Sequence, residues 1–249
     1  MPLYCCEGIV LRSRRVEESD RLVHFFTDCF GKVRATIKGV TRSGSRYGSI
    51  AEPLTHSQLS LYRPREERPI FSVTNFSPIR SNQEIRQDLG RFYAASFVAE
   101  LLDQCTEDGD PQHDLWLLFL ETLHHLGHSP NLNTLLLAFQ LKAFHYLGLG
   151  MVLGKCFNCA ESPPAQPRTF SGRLGGILCG GCRMKDPSAV SVSDDLYRML
   201  VLALAEPLIW ATQNPCSEEL WKESLAVFRP FWQHHLDFDS KSVRFIETF

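Results

Sequence analysis

Four of the chain's nine cysteines, Cys156, Cys159, Cys179 and Cys182, stand in KCFNCAESPPAQPRTFSGRLGGILCGGC as two Cys-x-x-Cys pairs with 19 residues between them. A thiolate is a good ligand for a borderline-soft cation, and two such pairs, each on a tight turn, can aim four sulfurs at one tetrahedral centre. Gly175, Gly176, Gly180 and Gly181 supply the backbone freedom that such turns need. The spacing predicts a four-thiolate zinc site. Four sulfurs would fill the coordination shell and leave no place for water or substrate, so the expected metal is structural. Its expected work is to order the connection over residues 155–185, which has too little apolar content to order itself. Three readings compete. Disulfides fit poorly in a reducing compartment, a thioredoxin-like site needs one pair after a strand in a βαβ unit, and unliganded thiols remain as the plain alternative.

Other chemistry is hard to assemble. GLGMVLGKC places Gly148, Gly150 and Gly154 in neither phosphate-loop spacing and follows a helical pattern where a strand is required, so it reads as a helix terminus. His124, His125 and His128 lack the glutamate of a zinc-protease helix and read as surface histidines. No G-x-S-x-G nucleophile elbow occurs. The five remaining cysteines, Cys5, Cys6, Cys29, Cys105 and Cys216, are scattered and odd in number, as expected of reduced thiols in a cytosolic protein. The opening MPLYCCEGIVL has no basic region before a long apolar run, so no signal peptide is expected.

The elements that position these residues fall into two kinds. As far as Phe76, the segments EGIVLRSR, RLVHFFTD, KVRATIKG, HSQLSLYR and IFSVTNF read as five short strands and predict a small barrel. In KVRATIKG, Val33, Ala35 and Ile37 alternate with Lys32, Arg34, Thr36 and Lys38, one face core and the other a cationic row. After Pro78 the period becomes helical. Ser81 with Glu84 suggests a capping box, Asp110 and Pro111 a second helix stopping near Gly127, and 133–147 a third that is apolar nearly all round and therefore central. The membrane-like run around it contains Gln140, Lys142 and His145 and reads as a buried helix. Helices resume after Ser193 and Ser217, with Pro230 expected to bend or end the last one. The predicted class is α+β, with residues 1–80 a barrel domain and 81–249 a helical domain carrying the cysteine insertion.

Charge divides the same way. Residues 1–80 hold thirteen Lys/Arg against eight Asp/Glu (+5) and residues 81–249 thirteen against twenty (−7), which sum to the net −2. A basic front end is what an anion-facing module needs.

The motifs EGIVLR (Glu7 to Arg12), DRLV (Asp20 to Val23), Phe26-Thr27, Gly31-Lys32 and the Lys38 to Arg46 loop occur in the order found in the RecO family of recombination mediators, and the opening resembles that family's barrel. FQLKAFHYLG resembles its helix before the zinc knuckle, and DSKSVRFI its ending. The resemblance covers nearly the whole chain. It implies an OB-fold, then a helical domain with a structural zinc knuckle, in a non-enzymatic bacterial protein associated with the nucleoid. Such proteins bind single- and double-stranded DNA, anneal strands, and act with RecR, often with RecF, to let RecA displace single-strand-binding protein. Gln140 and Lys142 depart from the residues common at those positions in the family.

On this barrel, Lys32, Arg34 and Lys38, with Arg42 and Arg46 on the loop that follows and Arg12 and Arg14 extending the row, form the candidate DNA groove. Tyr47 and Phe71 are candidate stacking platforms. The resemblance places a pocket for the acidic, Phe-ending tail of single-strand-binding protein on the central helix, at Phe139, Lys142, Phe144 and Leu147. Two other readings stand beside the mediator: a zinc-stabilised adaptor that binds only proteins, and a hydrolase with an unrecognised site.

Overall fold

The computed structural model describes residues 3–40, 49–63, 70–236 and 242; Arg42, Arg46, Tyr47 and all of the DSKSVRFI ending except Ser242 lie outside them. The chain forms two compact units, 1–123 and 124–249.

In the first unit the five expected strands are present: β1 (Leu3–Arg15), β2 (Arg21–Thr27), β3 (Gly31–Ile37), β4 (His56–Tyr62) and β5 (Ile70–Arg80). They close in the order β1-β2-β3-β5-β4. All pairings are antiparallel except β3 with β5, the OB-fold arrangement. Closure removes the sheet edges and lets alternate residues fill the interior: Val10, Val23, Phe25, Val33, Ala35, Ile37, Leu59 and Leu61 are all buried there. The outer face of β2 is covered as well, since Phe26 packs against Trp116 and Phe119 at centroid distances of 6.4 and 6.3 Å.

The helix expected after Ser81 is divided. A four-residue turn, α1 (Gln83–Arg86), precedes α2 (Leu89–Cys105), and the cap of α2 is Asp88, whose side chain accepts from the Arg91 N–H, in place of Ser81. The next helix, α3 (His113–His128), begins three residues after Asp110, because the residues at 108–110 are held against β3 by a Gly109 N–H to Lys32 carbonyl bond.

The second unit is built around α4 (Leu132–Tyr146), which buries ten residues from Thr134 to Phe144 and so occupies the centre that its all-round apolar sequence requires. A three-stranded antiparallel sheet follows, β6 (Arg168–Ser171), β7 (Gly176–Leu178) and β8 (Val190–Val192), then α5 (Asp194–Ala205), α6 (Trp210–Gln213) and α7 (Glu218–His235). Ser193 and Ser217 cap α5 and α7, and Asp194, Asp195, Glu218 and Glu219 lie in the first turns, where the helix dipole favours them. Pro230 does not end α7, which continues to His235. A proline inside a helix costs about 3 kcal/mol, through the missing hydrogen bond and the clash of its ring with the preceding turn. Phe228, Phe231 and Trp232, all buried around it, offset that at roughly 1.5–3 kcal/mol each. The proline also sets a close approach: a Cβ on Gly172 would come within 2.5 Å of Pro230 Cβ, so only glycine fits the turn after β6.

Candidate metal centre and nucleic-acid face

The cysteine segment is organised by backbone before any metal is considered. Val152 forms a bridge with Gly176, and the Phe157 N–H donates to the Ile177 carbonyl at 2.7 Å, which hangs the first Cys-x-x-Cys turn beside β7. Cys179 directly follows β7, and its pair closes through a Cys182 N–H to Cys179 carbonyl bond of 2.9 Å. The four sulfurs thereby come within 4.8 Å of one another, and those of Cys159 and Cys179 are 3.7 Å apart. Donors point at them: the Cys179 N–H at Cys156 Sγ (3.4 Å) and Asn158 Nδ2 at Cys182 Sγ (3.2 Å). Burial works to raise the Cys156 thiol, but backbone N–H groups of Cys159, Cys179 and Asn158 outweigh it and bring the pKa down to about 6, favouring the thiolate a metal needs. The four cysteines form a site able to bind a metal ion.

The candidate DNA residues separate into two groups. Lys32 is buried, its ammonium donating to the Asp103 carbonyl oxygen and lying 3.8 Å from the Asp103 carboxylate. Arg34 pairs with Asp108 at 2.6 Å, and Arg12 with Asp103 at 3.0 Å. His24 Nδ1 meets the same carboxylate at 2.9 Å. Burial alone would raise the Asp103 pKa; the His24 hydrogen bond and the charges of His24, Arg12 and Lys32 override it and hold the group below the usual carboxylate range. Two of the three cations of that row, Lys32 and Arg34, are therefore covered by acids that α2 and the segment after it bring in. The second group is open. Arg14 and Lys38 are exposed, and the register Arg15↔Arg21↔Ile37 places Arg14, Arg15, Arg21 and Lys38 at one end of the barrel, beside the β1–β2 turn that carries Glu17, Glu18 and Asp20. Arg15 and Arg21 escaped the sequence reading, which followed one strand at a time; hairpin pairing was the signal that joins them.

Of the two candidate stacking rings, Phe71 is almost entirely buried; it touches Tyr4 and Phe30 edge-on or tilted and carries the Arg63 guanidinium 5.4 Å from its centroid. Beside it, Phe30, Lys32, Val33, Arg63, Asp108 and Gly109 line a cleft of about 190 Å³.

On α4, Phe139 and Phe144 are fully buried, the Phe144 ring tilted against Phe231 at 5.1 Å, and Leu147 is half-buried. Lys142 donates to the Leu204 and Glu206 carbonyls at 3.1 and 2.6 Å, so its ammonium caps the C-terminus of α5. Cations there are favoured by the orphan carbonyls and the dipole. Lys142→Met is expected to lower the unfolding free energy by about 1 kcal/mol in a urea titration.

A closed five-stranded barrel of OB topology, followed by helices and a four-cysteine knuckle, defines an α+β protein of two parts. Residues 1–82 match the model of the recombination protein O N-terminal region and residues 86–244 that of its C-terminal region. The chain belongs to the RecO family of DNA repair proteins. It is 30% identical over 249 residues to the DNA repair protein RecO of Pelotomaculum thermopropionicum, covering 100% of this chain and 95% of that one. It is also 30% identical over 240 residues to the DNA repair protein RecO of Anaeromyxobacter dehalogenans, covering 96% of this chain and 94% of that one. Among the described residues no helix is long and apolar enough to cross a membrane.

Proposed function

We propose that this protein is a non-enzymatic mediator of recombinational repair in the bacterial cytoplasm, at the nucleoid. It binds single- and double-stranded DNA through its barrel, anneals complementary strands and, with RecR and in some settings RecF, helps RecA replace single-strand-binding protein. The observation that carries the DNA-binding reading is the gathering of Arg14, Arg15, Arg21 and Lys38 at one barrel end, from which the chain runs into the segment bearing Arg42 and Arg46. Closely set cations beside an OB barrel attract a polyanion with little base preference. Annealing then needs no catalytic group, because a cationic surface lowers the repulsion between two strands.

The metal is zinc in this reading. A tetrahedron with Zn–S bonds of about 2.3 Å has edges of about 3.8 Å, and the Cys159–Cys179 sulfur separation of 3.7 Å fits one. Docking of the acidic tail of single-strand-binding protein falls to the helical unit. With Phe139 and Phe144 in the core, the accessible parts of the α4 site are Leu147 and the edge of Lys142. A groove of about 310 Å³ in the same unit combines apolar Met199, Leu202, Trp210 and Leu220 with one base, Arg198, and one acid, Asp195.

Replacing Arg14, Lys38, Arg42 and Arg46 together by Gln is expected to weaken single-strand binding and to flatten the dependence of log K on log salt by up to ~2.8, at ~0.7 per lost phosphate contact. Replacing Lys32 and Arg34 should change the slope far less, since their charge faces Asp103 and Asp108. A slope unchanged by the fourfold variant moves the site elsewhere. Absence of DNA binding by the unaltered protein at low salt would favour the protein-only adaptor, a reading that the acid-paired half of the row supports.

A further inference from the structure

We propose that Cys6, Asp28 and Cys29 form a second metal centre, at the opposite end of β1 from the basic cluster, which takes one thiophilic divalent cation. This goes beyond the DNA-mediator reading and does not depend on it. The antiparallel register of β1 and β2 pairs Gly8 with Thr27 and extends by an Asp28 N–H to Glu7 carbonyl bond of 3.1 Å. One step further along the same register, Cys6 comes opposite Cys29. The two sulfurs and an Asp28 carboxylate oxygen lie within 4.8 Å of one another.

The ligands are held before any ion arrives. Asp28 Oδ1 accepts the Glu7 N–H at 3.0 Å, which fixes the carboxylate. The turn that carries Asp28 and Cys29 is tied by Thr27 Oγ1 donating to the Gly31 carbonyl at 2.8 Å and accepting from the Phe30 N–H at 3.1 Å. Gly31 sits at φ +60°, and a Cβ there would lie 1.8 Å from the Asp110 carbonyl oxygen, so only glycine fits at the end of the turn. Phe30 packs on Tyr4 at 5.3 Å and closes that end of the barrel. Cys6 is buried in the barrel core and Cys29 is exposed, so the cluster has a wall on one side and an entry on the other.

Donor chemistry selects the ion. Two sulfurs exclude magnesium and calcium, which require oxygen shells, and suit zinc, cobalt or cadmium. Three protein ligands leave a fourth position on the exposed side for water or an external donor, unlike the closed four-cysteine knuckle. Bound there, the ion would pin the start of β1 to the β2–β3 turn.

The test uses full-length protein, kept anaerobic and loaded with one equivalent of zinc so that the four-cysteine site is filled, then titrated with cobalt(II). A thiolate-to-cobalt charge-transfer band saturating at about one further equivalent is expected. Cys29→Ser, at an exposed position, should weaken that binding at least tenfold, and so should Asp28→Asn, while Cys5→Ser, at an exposed cysteine outside both clusters, should leave the band in place. No band at tenfold excess of cobalt would overturn the proposal. So would a band that Cys29→Ser leaves unchanged, or peptide mapping that finds Cys6 and Cys29 joined as a disulfide.

Discussion

With zinc as the proposed knuckle metal, Cys156→Ser is expected to remove one equivalent of zinc and to unfold the segment from Val152 to Val192 while leaving the barrel intact. The argument rests on how little else holds that segment. Its sheet has strands of four, three and three residues, and the apolar cluster inside the knuckle consists of Leu178 with Cys156 and Cys179, joined by partly buried Leu174, Cys182 and Ala189. Burial in that cluster contributes only a few kcal/mol. Four-thiolate zinc contributes about 10–16 kcal/mol in small domains at neutral pH, several times what the cluster supplies. Loss should spread to α7, because Phe170 packs on Phe231, Gly172 lies under Pro230 and His235 Nε2 bonds the Gly172 carbonyl at 2.9 Å. Hydrogen exchange read by mass spectrometry should show protection lost over β6–β8, reduced in α7 and unchanged in β1–β5. Metal-free variant protein with native protection in β6–β8 would show that the cysteines do not hold the fold.

The strands and the knuckle were legible in the sequence for the same reason: each is specified by residues close together in the chain. Alternation of Val33, Ala35 and Ile37 with polar neighbours fixes which side of β3 is core, and two Cys-x-x-Cys pairs specify their own geometry. What lies against a face is not a local property. The row Lys32, Arg34, Lys38 reads as one cationic surface until Asp103 and Asp108 arrive from about 70 residues downstream and neutralise its first two members. Phe139 and Phe144 show two readings in conflict. The all-round apolar character of α4 made them core, the family motif made them a docking pocket, and their complete burial agrees with the periodicity. Helix ends were least legible, since Ser81 and Asp88 are both good caps by type and only packing decides which one a helix follows.

The second large effect follows from that same Asp103. Its carboxylate is the common counter-ion of Arg12, His24 and Lys32, and its side chain and that of Lys32 are each only 11% exposed. Asp103→Leu leaves the buried Lys32 ammonium with only the more exposed Asp108 carboxylate, 3.9 Å away, and removal of one partner from such a buried pair costs up to about 3–5 kcal/mol. A lowered urea midpoint of the barrel unit is the expected reading. The pH dependence carries the sign: because the folded pKa is depressed, Asp103 contributes stability that is fully present above its unfolded value of about 3.9 and is lost as pH falls through the folded one. Stability of the unaltered protein should therefore decline on the acid side of about pH 4, and the Asp103→Leu variant should show a flatter curve there. Lys32→Met placed in the Asp103→Leu background removes the stranded charge, so the double variant should recover most of the loss, as apolar replacements of buried ion pairs do. If the double variant is as unstable as the single one, the cluster acts by shape and not by charge. DNA binding supplies an independent reading of the same residues: if the open barrel end of Arg14 and Lys38 is the contact surface, the rescued double variant should keep the salt slope of the unaltered protein even though it has lost a lysine from the barrel.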